Sequence, residues 1–258
     1  MKKQTIRIAA VGAAVVVLLA AGTAIGLSSR HSTTKATPDT AVVATEDPMP
    51  SSYMIEGVPA KQQDELKAGC ETHAVTALLQ SYGYDIDEFS FANNYLDVHY
   101  VFDDGEGHMY GPDMNSGFAG TAYAGWGIYA PAMAKCMNHY LSDVKSKQKA
   151  VAHEGGTLAD LCREYIVNGT PVAVWATTDM QEPVPHDTWE VNYVDENAKY
   201  KLGDSFTWPL HEHCLVLVGY DEREYYFSDS VAGTTSHFEK ALCEKRFEQL
   251  GSQYIVLE

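Results

Sequence analysis

Positive charge is scarce in this sequence. Lys and Arg number 18 against 35 Asp and Glu, a net of −17 over 258 residues. The first 51 residues hold five of the basic side chains (Lys2, Lys3, Arg7, Arg30, Lys35) and three of the acidic ones (Asp39, Glu46, Asp47). The remainder therefore carries 13 against 32, a net of −19. Such a surface repels phosphate backbones, so nucleic acid is excluded as an expected partner. Cysteine is sparse as well: five residues, at 70, 136, 162, 214 and 243, with no two at zinc-knuckle or CxxC spacing. Five is odd, so at least one is free unless it pairs between chains. A domain of this size needs no disulfide framework, and the other four thiols are expected mostly in the core. No nucleotide-binding motif and no internal repeat is present, and no cofactor is implied.

Long apolar runs are absent except for one. Ile8 to Leu27 is uncharged for 20 residues and follows Lys2, Lys3 and Arg7. That length is close to the roughly 20 residues of a spanning helix. The small residues Ala21-Gly22-Thr23-Ala24 would also permit signal cleavage. Residues 1–27 are expected to be a membrane anchor or a signal peptide, with the positive end inside and the rest outside the cell. Residues 28–52 turn to Ser, Thr, Pro and Ala without periodicity and are expected to be a flexible linker. Residues 53–258 are then one domain, in contact with the membrane only through the N-terminal segment.

What is present in that domain is helical first and extended later. Apolar spacing predicts a helix from about Cys70 to Ser81, ended by Gly83, and a shorter one near Asp87–Leu96. Phe102 to Pro131 is glycine-rich and is expected to be a long loop. Pro131 opens a helix with Met133, Met137, Tyr140 and Leu141 on its buried stripe. Thr157 and Asp160 have capping-box spacing before "LADLCREYIV", which Asn168-Gly169 closes. "PVAVWATT", "HCLVLVGY" and "YYFSD" are expected strands, the last two joined by a turn at "DERE". Ser236 and Glu239 suggest another capped helix, and "YIVL" a last strand. The order predicts an α+β fold with an antiparallel sheet.

Cys70 stands at the start of the first helix, where unpaired N–H groups favour an anion and lower a thiol pKa. Gly69 removes a side chain beside the sulfur and would let a substrate carbonyl approach. The alternative is a buried core thiol. A base must come from elsewhere: His213 begins an apolar strand, and Asp229 ends the one expected to face it. A three-residue turn from Asp221 to Tyr225 sets Asp229 opposite Leu217, on the face of His213. A two-residue turn would separate them, and a bulge could shift the register. Such a carboxylate orients the imidazole. His211 is a rival for His213, on the same face if the strand reaches it. "HEHC" could form a metal patch, but no further ligand stands at metal spacing, so no metal site is expected. His73, one helical turn beyond Cys70, is expected on the helix surface. An oxyanion donor is offered by Gln62 or Gln63, with Gln63 the better placed.

Five segments together, "VPAKQQ…AGCETHAVTALLQSYGY", "GWGIYAPAM", "YIVNGTPVAVWATTDM", "HCLVLVGYDE" and "YYFSDSVAG", resemble the peptidase C-thirty-nine-like proteins. These are secreted bacterial double-glycine-peptidase-like members of the papain-like cysteine peptidases. The resemblance spans nearly all of Tyr53 to Glu258. It implies a papain-like α+β fold, with Cys70 as nucleophile, His213 as general base and then acid, Asp229 as orienting carboxylate and Gln63 as oxyanion donor. Trp126, Trp175 and Thr177 would line the cleft. Two departures stand out: Asp229 is followed by Ser230 where the family often has proline, and "QDELKAGC" lacks the usual proline. The expected activity is extracellular hydrolysis of a peptide or protein, a cell-wall-associated one among the candidates, through an acyl-enzyme. The rivals are a silent peptide- or wall-binding domain, or a thiol acyltransferase or amidase.

Overall fold

The computed structural model describes residues 49–258. The expected anchor or signal, and most of the expected linker, lie outside them. Among the described residues no helix is long and apolar enough to cross a membrane. Chain order is β1 Tyr53–Met54, α1 Cys70–Ser81, α2 Glu88–Asn94, β2 Val98–His99, β3 Phe102–Asp103, β4 Met109–Pro112, β5 Phe118–Thr121 and β6 Ala124–Gly127. Then come α3 Ala130–Asp143, β7 Ala150–Glu154, α4 Leu158–Glu164, β8 Val172–Thr177, β9 Val184–Tyr193 and β10 Ser205–Leu210. The chain ends with β11 Glu212–Tyr220, β12 Glu224–Asp229, β13 Thr234–Glu239, α5 Lys240–Gln249 and β14 Gln253–Leu257.

The fold is the expected α+β one. The main sheet runs β13-β12-β11-β8-β14-β7, all antiparallel, and β1 pairs with β11 at Gly219 and Tyr220, past the end of β8. Helices cover both faces. α1 and α3 pack on one face, against Trp175, Cys214, Val216, Val218 and Ile255. α4 and α5 pack on the other, against Val172, Val174, Leu215, Leu217 and Phe227. With both sides covered, β11 is buried at every position, and this is why it reads as an unbroken apolar run.

Local chemistry explains the helix limits. Asp87 caps α2 by accepting from the Ser90 amide, and Thr157 with Asp160 completes a capping box on α4. Pro131 lies in the first turn of α3. Three expectations need correction. The stretch from Phe102 to Pro131 is not one loop but carries β3 to β6. These join the unforeseen hairpin β9–β10 and β2 in two small sheets, around Met114, Trp189 and Phe206. Ser236 and Glu239 lie in β13, and the helix begins only at Lys240. Residues 49–52 belong with the domain rather than the linker: Met49 packs on the second core and the Pro50 carbonyl accepts from the Tyr220 hydroxyl.

Candidate active site

β11 and β12 are joined by a two-residue turn, Glu222-Arg223, closed by the Asp221 amide donating to the Glu224 carbonyl. Such a turn alone would place His213 and Asp229 on opposite faces. A bulge between Leu217 and Gly219 absorbs Val218 and restores the parity: Val216 pairs with Ser228 and Leu217 with Phe227. Continued, that register sets Asp229 opposite Leu215, not Leu217, and diagonal to His213 on the same face.

The two side chains meet. His213 Nε2 lies 2.9 Å from Asp229 Oδ1, and His213 is 1% exposed. Ser236 Oγ donates to Asp229 Oδ2 and the Val231 amide to Oδ1. Burial alone would raise the Asp229 pKa. The bond and charge of His213, with the Ser236 and Val231 donors, outweigh it and hold the carboxyl below its usual range. Since Asp229 takes Nε2, Nδ1 is the ring nitrogen left for a thiol.

Gln63 is tied to the same strand end. Its amide N–H donates to the Ser230 carbonyl, Ser230 Oγ donates to Gln63 Oε1, and Gln63 Nε2 donates to the Lys67 carbonyl. Ser230 thus fixes the Gln63 amide beside Asp229. Gln62 is exposed.

Cys70 opens α1 as expected, but its thiol is in a closed environment. It is 8% exposed, and Sγ donates to Glu71 Oε2 at 3.2 Å, rather than to His213. Burial pushes its pKa well up, and the charges of Glu71 and Glu212 add to this. The Cys214 backbone amide acts in the opposite sense, which places the sulfur beside the residue that follows His213. α1 packs on the Cys214 face of β11, whereas His213 shares the face of Leu215 and Leu217.

Two carboxylates missed in the sequence complete this surrounding. Glu71 is fully buried. Its Oε1 accepts from the Ile128 amide at 2.9 Å. Burial raises it to about 7, against backbone amides, the Cys70 thiol and the His213 charge. Glu212 is 7% exposed and both its oxygens lack a partner. Burial and the Glu71 charge push it well up. The sequence shows each only as an acidic residue beside a candidate catalytic one, with nothing to mark its burial.

The other expected site residues scatter. Gly69 is explained by packing, since a Cβ there would stand 2.7 Å from Leu66 Cβ. Trp175 and Thr177 do not line an open cleft: both are fully buried, with Trp175 Nε1 donating to the Ile128 carbonyl and Thr177 Oγ1 to that of Gln181. Trp126 does face an open depression of about 510 Å³, with Tyr100, Val101, Asp187 and Trp208. Its Nε1 donates to Asp187 Oδ2. His73 is buried, not on the helix surface, and its Nδ1 is bonded to the Gly69 carbonyl. His211 sits in a left-handed turn (φ 75°) before β11 begins. Strand alternation puts His213 and Cys214 on opposite faces, which breaks up "HEHC" as a patch. All five cysteines are buried and unpaired.

A cysteine opening a helix, a histidine near the start of an apolar strand and an aspartate ending the next strand form the layout of cysteine-peptidase-like folds. The chain belongs to the Peptidase_C39 like family, whose profile matches residues 55–255. It is 24% identical over 192 residues to the uncharacterized protein YvpB of Bacillus subtilis strain 168, covering 74% of this chain and 69% of that protein. It is also similar to a crystal structure from Bacillus anthracis named as a C39-like peptidase. The TM-score is 0.65 at 26% identity, covering 81% of this chain and 98% of the other.

Proposed function

We propose that the protein is an extracellular cysteine peptidase, tethered or released at its N-terminus, acting through Cys70, His213 and Asp229. The observation that carries this reading is the buried His213 Nε2–Asp229 Oδ1 bond, which leaves Nδ1 as the nitrogen to serve the thiol. Catalysis begins when Sγ leaves Glu71 and gives its proton to His213. The thiolate attacks the substrate carbonyl, Gln63 and the Cys70 amide hold the oxyanion, and His213 protonates the leaving amine. Water then releases the acyl group. The depression at Trp126, next in sequence to Gly127, which touches Glu71, is a place for substrate side chains. The substrate is a peptide or protein.

Iodoacetamide labelling with mapping of the modified residue tests the nucleophile. Cys70 should react faster than the other thiols at neutral pH, and Cys70→Ala should abolish hydrolysis of a peptide substrate. One observation favours a second reading: the closed, protonated thiol suits a silent binding domain that holds peptides at the Trp126 depression. Full biological effect from Cys70→Ala would select it. Product analysis with added amines would separate hydrolysis from acyl transfer.

A further inference from the structure

Cys70 Sγ and one oxygen each from Glu71 and Glu212 lie within 4.8 Å of one another, all three residues buried. Three acidic groups packed this closely call for a positive charge or protons between them. Glu71 is partly satisfied, by the Cys70 thiol and the Ile128 amide. Glu212 is not: both oxygens are enclosed and bonded to nothing, which is uncommon for a carboxylate in a folded interior. Gly127 closes the space from the β6 side with φ 134°. A Cβ on it would overlap Glu71 Oε1 and stand 3.0 Å from Glu212 Oε2.

We propose that Cys70, Glu71 and Glu212 form a zinc site whose occupation silences the Cys70 thiol. A thiolate among the donors selects a borderline-soft ion over calcium or magnesium. Zinc holds sulfur at about 2.3 Å and carboxylate oxygen at about 2.0–2.2 Å. The donors must therefore close on the ion, and Glu212, tied to nothing, is free to swing. Coordination expels the thiol proton, and any proton on the carboxylates, to solvent. The doubly charged ion then meets three anionic ligands. Zinc binding does not depend on the peptidase reading; only the loss of thiol reactivity touches the same sulfur.

The test uses the full chain, reduced and stripped of metal. Asp104, Glu106 and His108 form an exposed trio that could also take metal, so Asp104→Asn serves as background. In that background the chain should retain one zinc on dialysis. Cobalt in its place should give a thiolate charge-transfer band, and zinc should slow iodoacetamide alkylation of Cys70 by about tenfold or more. Glu212→Gln should weaken zinc by roughly 100-fold, remove the cobalt band and escape the protection. Cys70→Ser provides the second variant should Glu212→Gln fail to fold, and it too should lose the zinc. No retained zinc would overturn the proposal and leave a proton shared by the carboxylates. So would zinc held equally by Glu212→Gln or Cys70→Ser, or a cobalt spectrum without a thiolate band. None of these readouts uses peptide hydrolysis, so the proposal and the catalytic assignment fail separately.

Discussion

Glu71 combines burial with a neighbour that depends on it, and this gives it a signature in pH. Its pKa rises from 4.5 to about 7 on folding, chiefly because burial disfavours the charge. Between those values the folded chain keeps a proton that the unfolded chain has lost. Stability therefore falls as pH rises through this window, by on the order of 3 kcal/mol at full development. Glu71→Gln keeps the size and, through Oε1, an acceptor for the Ile128 amide, while its NH2 replaces the oxygen that accepts from the Cys70 thiol; it should flatten that slope in urea melts. An unchanged slope would assign the raised carboxyl elsewhere. Asp229 works with the opposite sign. Its lowered pKa contributes stability above 3.8, lost as pH falls through the folded value. Asp229→Ala should cost about 1–3 kcal/mol by leaving the buried imidazole unpaired. It should also lower kcat about 100-fold, with little change in KM. At this scale the sequence located Cys70 at a helix start and His213 and Asp229 near the ends of neighbouring strands, because each is a recognisable chemical type at such a position; Gln63 lies in the loop before α1. The sequence was silent about whether the thiol is open. That depends on Glu71 and Glu212, whose burial follows from Gly127 and Ile128 more than fifty residues away in the chain.

Elements place these residues, and two irregularities do most of the placing. The Val218 bulge cancels the parity set by the Glu222-Arg223 turn and so returns Asp229 to His213. An alternation rule on "HCLVLVGYDEREYYFSD" cannot foresee a bulge in a uniformly apolar strand, since no polar residue marks the extra position. The helix starts were legible for the contrary reason: Asp87, Thr157 and Pro131 carry their signal in side-chain chemistry. β9 and β10 were missed because their strands are largely exposed, and their one-sided core at Trp189 and Phe206 exists only once β4 joins. The second irregularity is Gly127, at the end of β6. Gly127→Ala would hold a left-handed backbone with a methyl pressed on Glu71, at a cost of about 1–3 kcal/mol. Moving that carboxylate off the sulfur should open the thiol, so iodoacetamide should label Cys70 faster in the variant than in the parent chain. Slower or equal labelling would mean that β6 does not seal the nucleophile.

The whole molecule adds a field. A net of −19 is spread over residues 52–258, whose candidate groove carries its own acid, Asp187, which accepts from Trp126. Charge of one sign attracts the opposite sign at a distance and is screened over about 10 Å at 0.1 M salt. Basic peptides should therefore be taken up faster than acidic ones of equal length. For basic peptides kcat/KM should fall as salt rises from low to physiological levels, carried by KM rather than kcat. Neutral peptides should show a flat profile and acidic ones a mild rise. The comparison separates a global field from a local pocket. If charge preference persists at high salt, a specific contact such as Asp187 is responsible, and Asp187→Asn should remove it. If the preference vanishes with salt, the acidic surface that first set nucleic acid aside also selects among peptides.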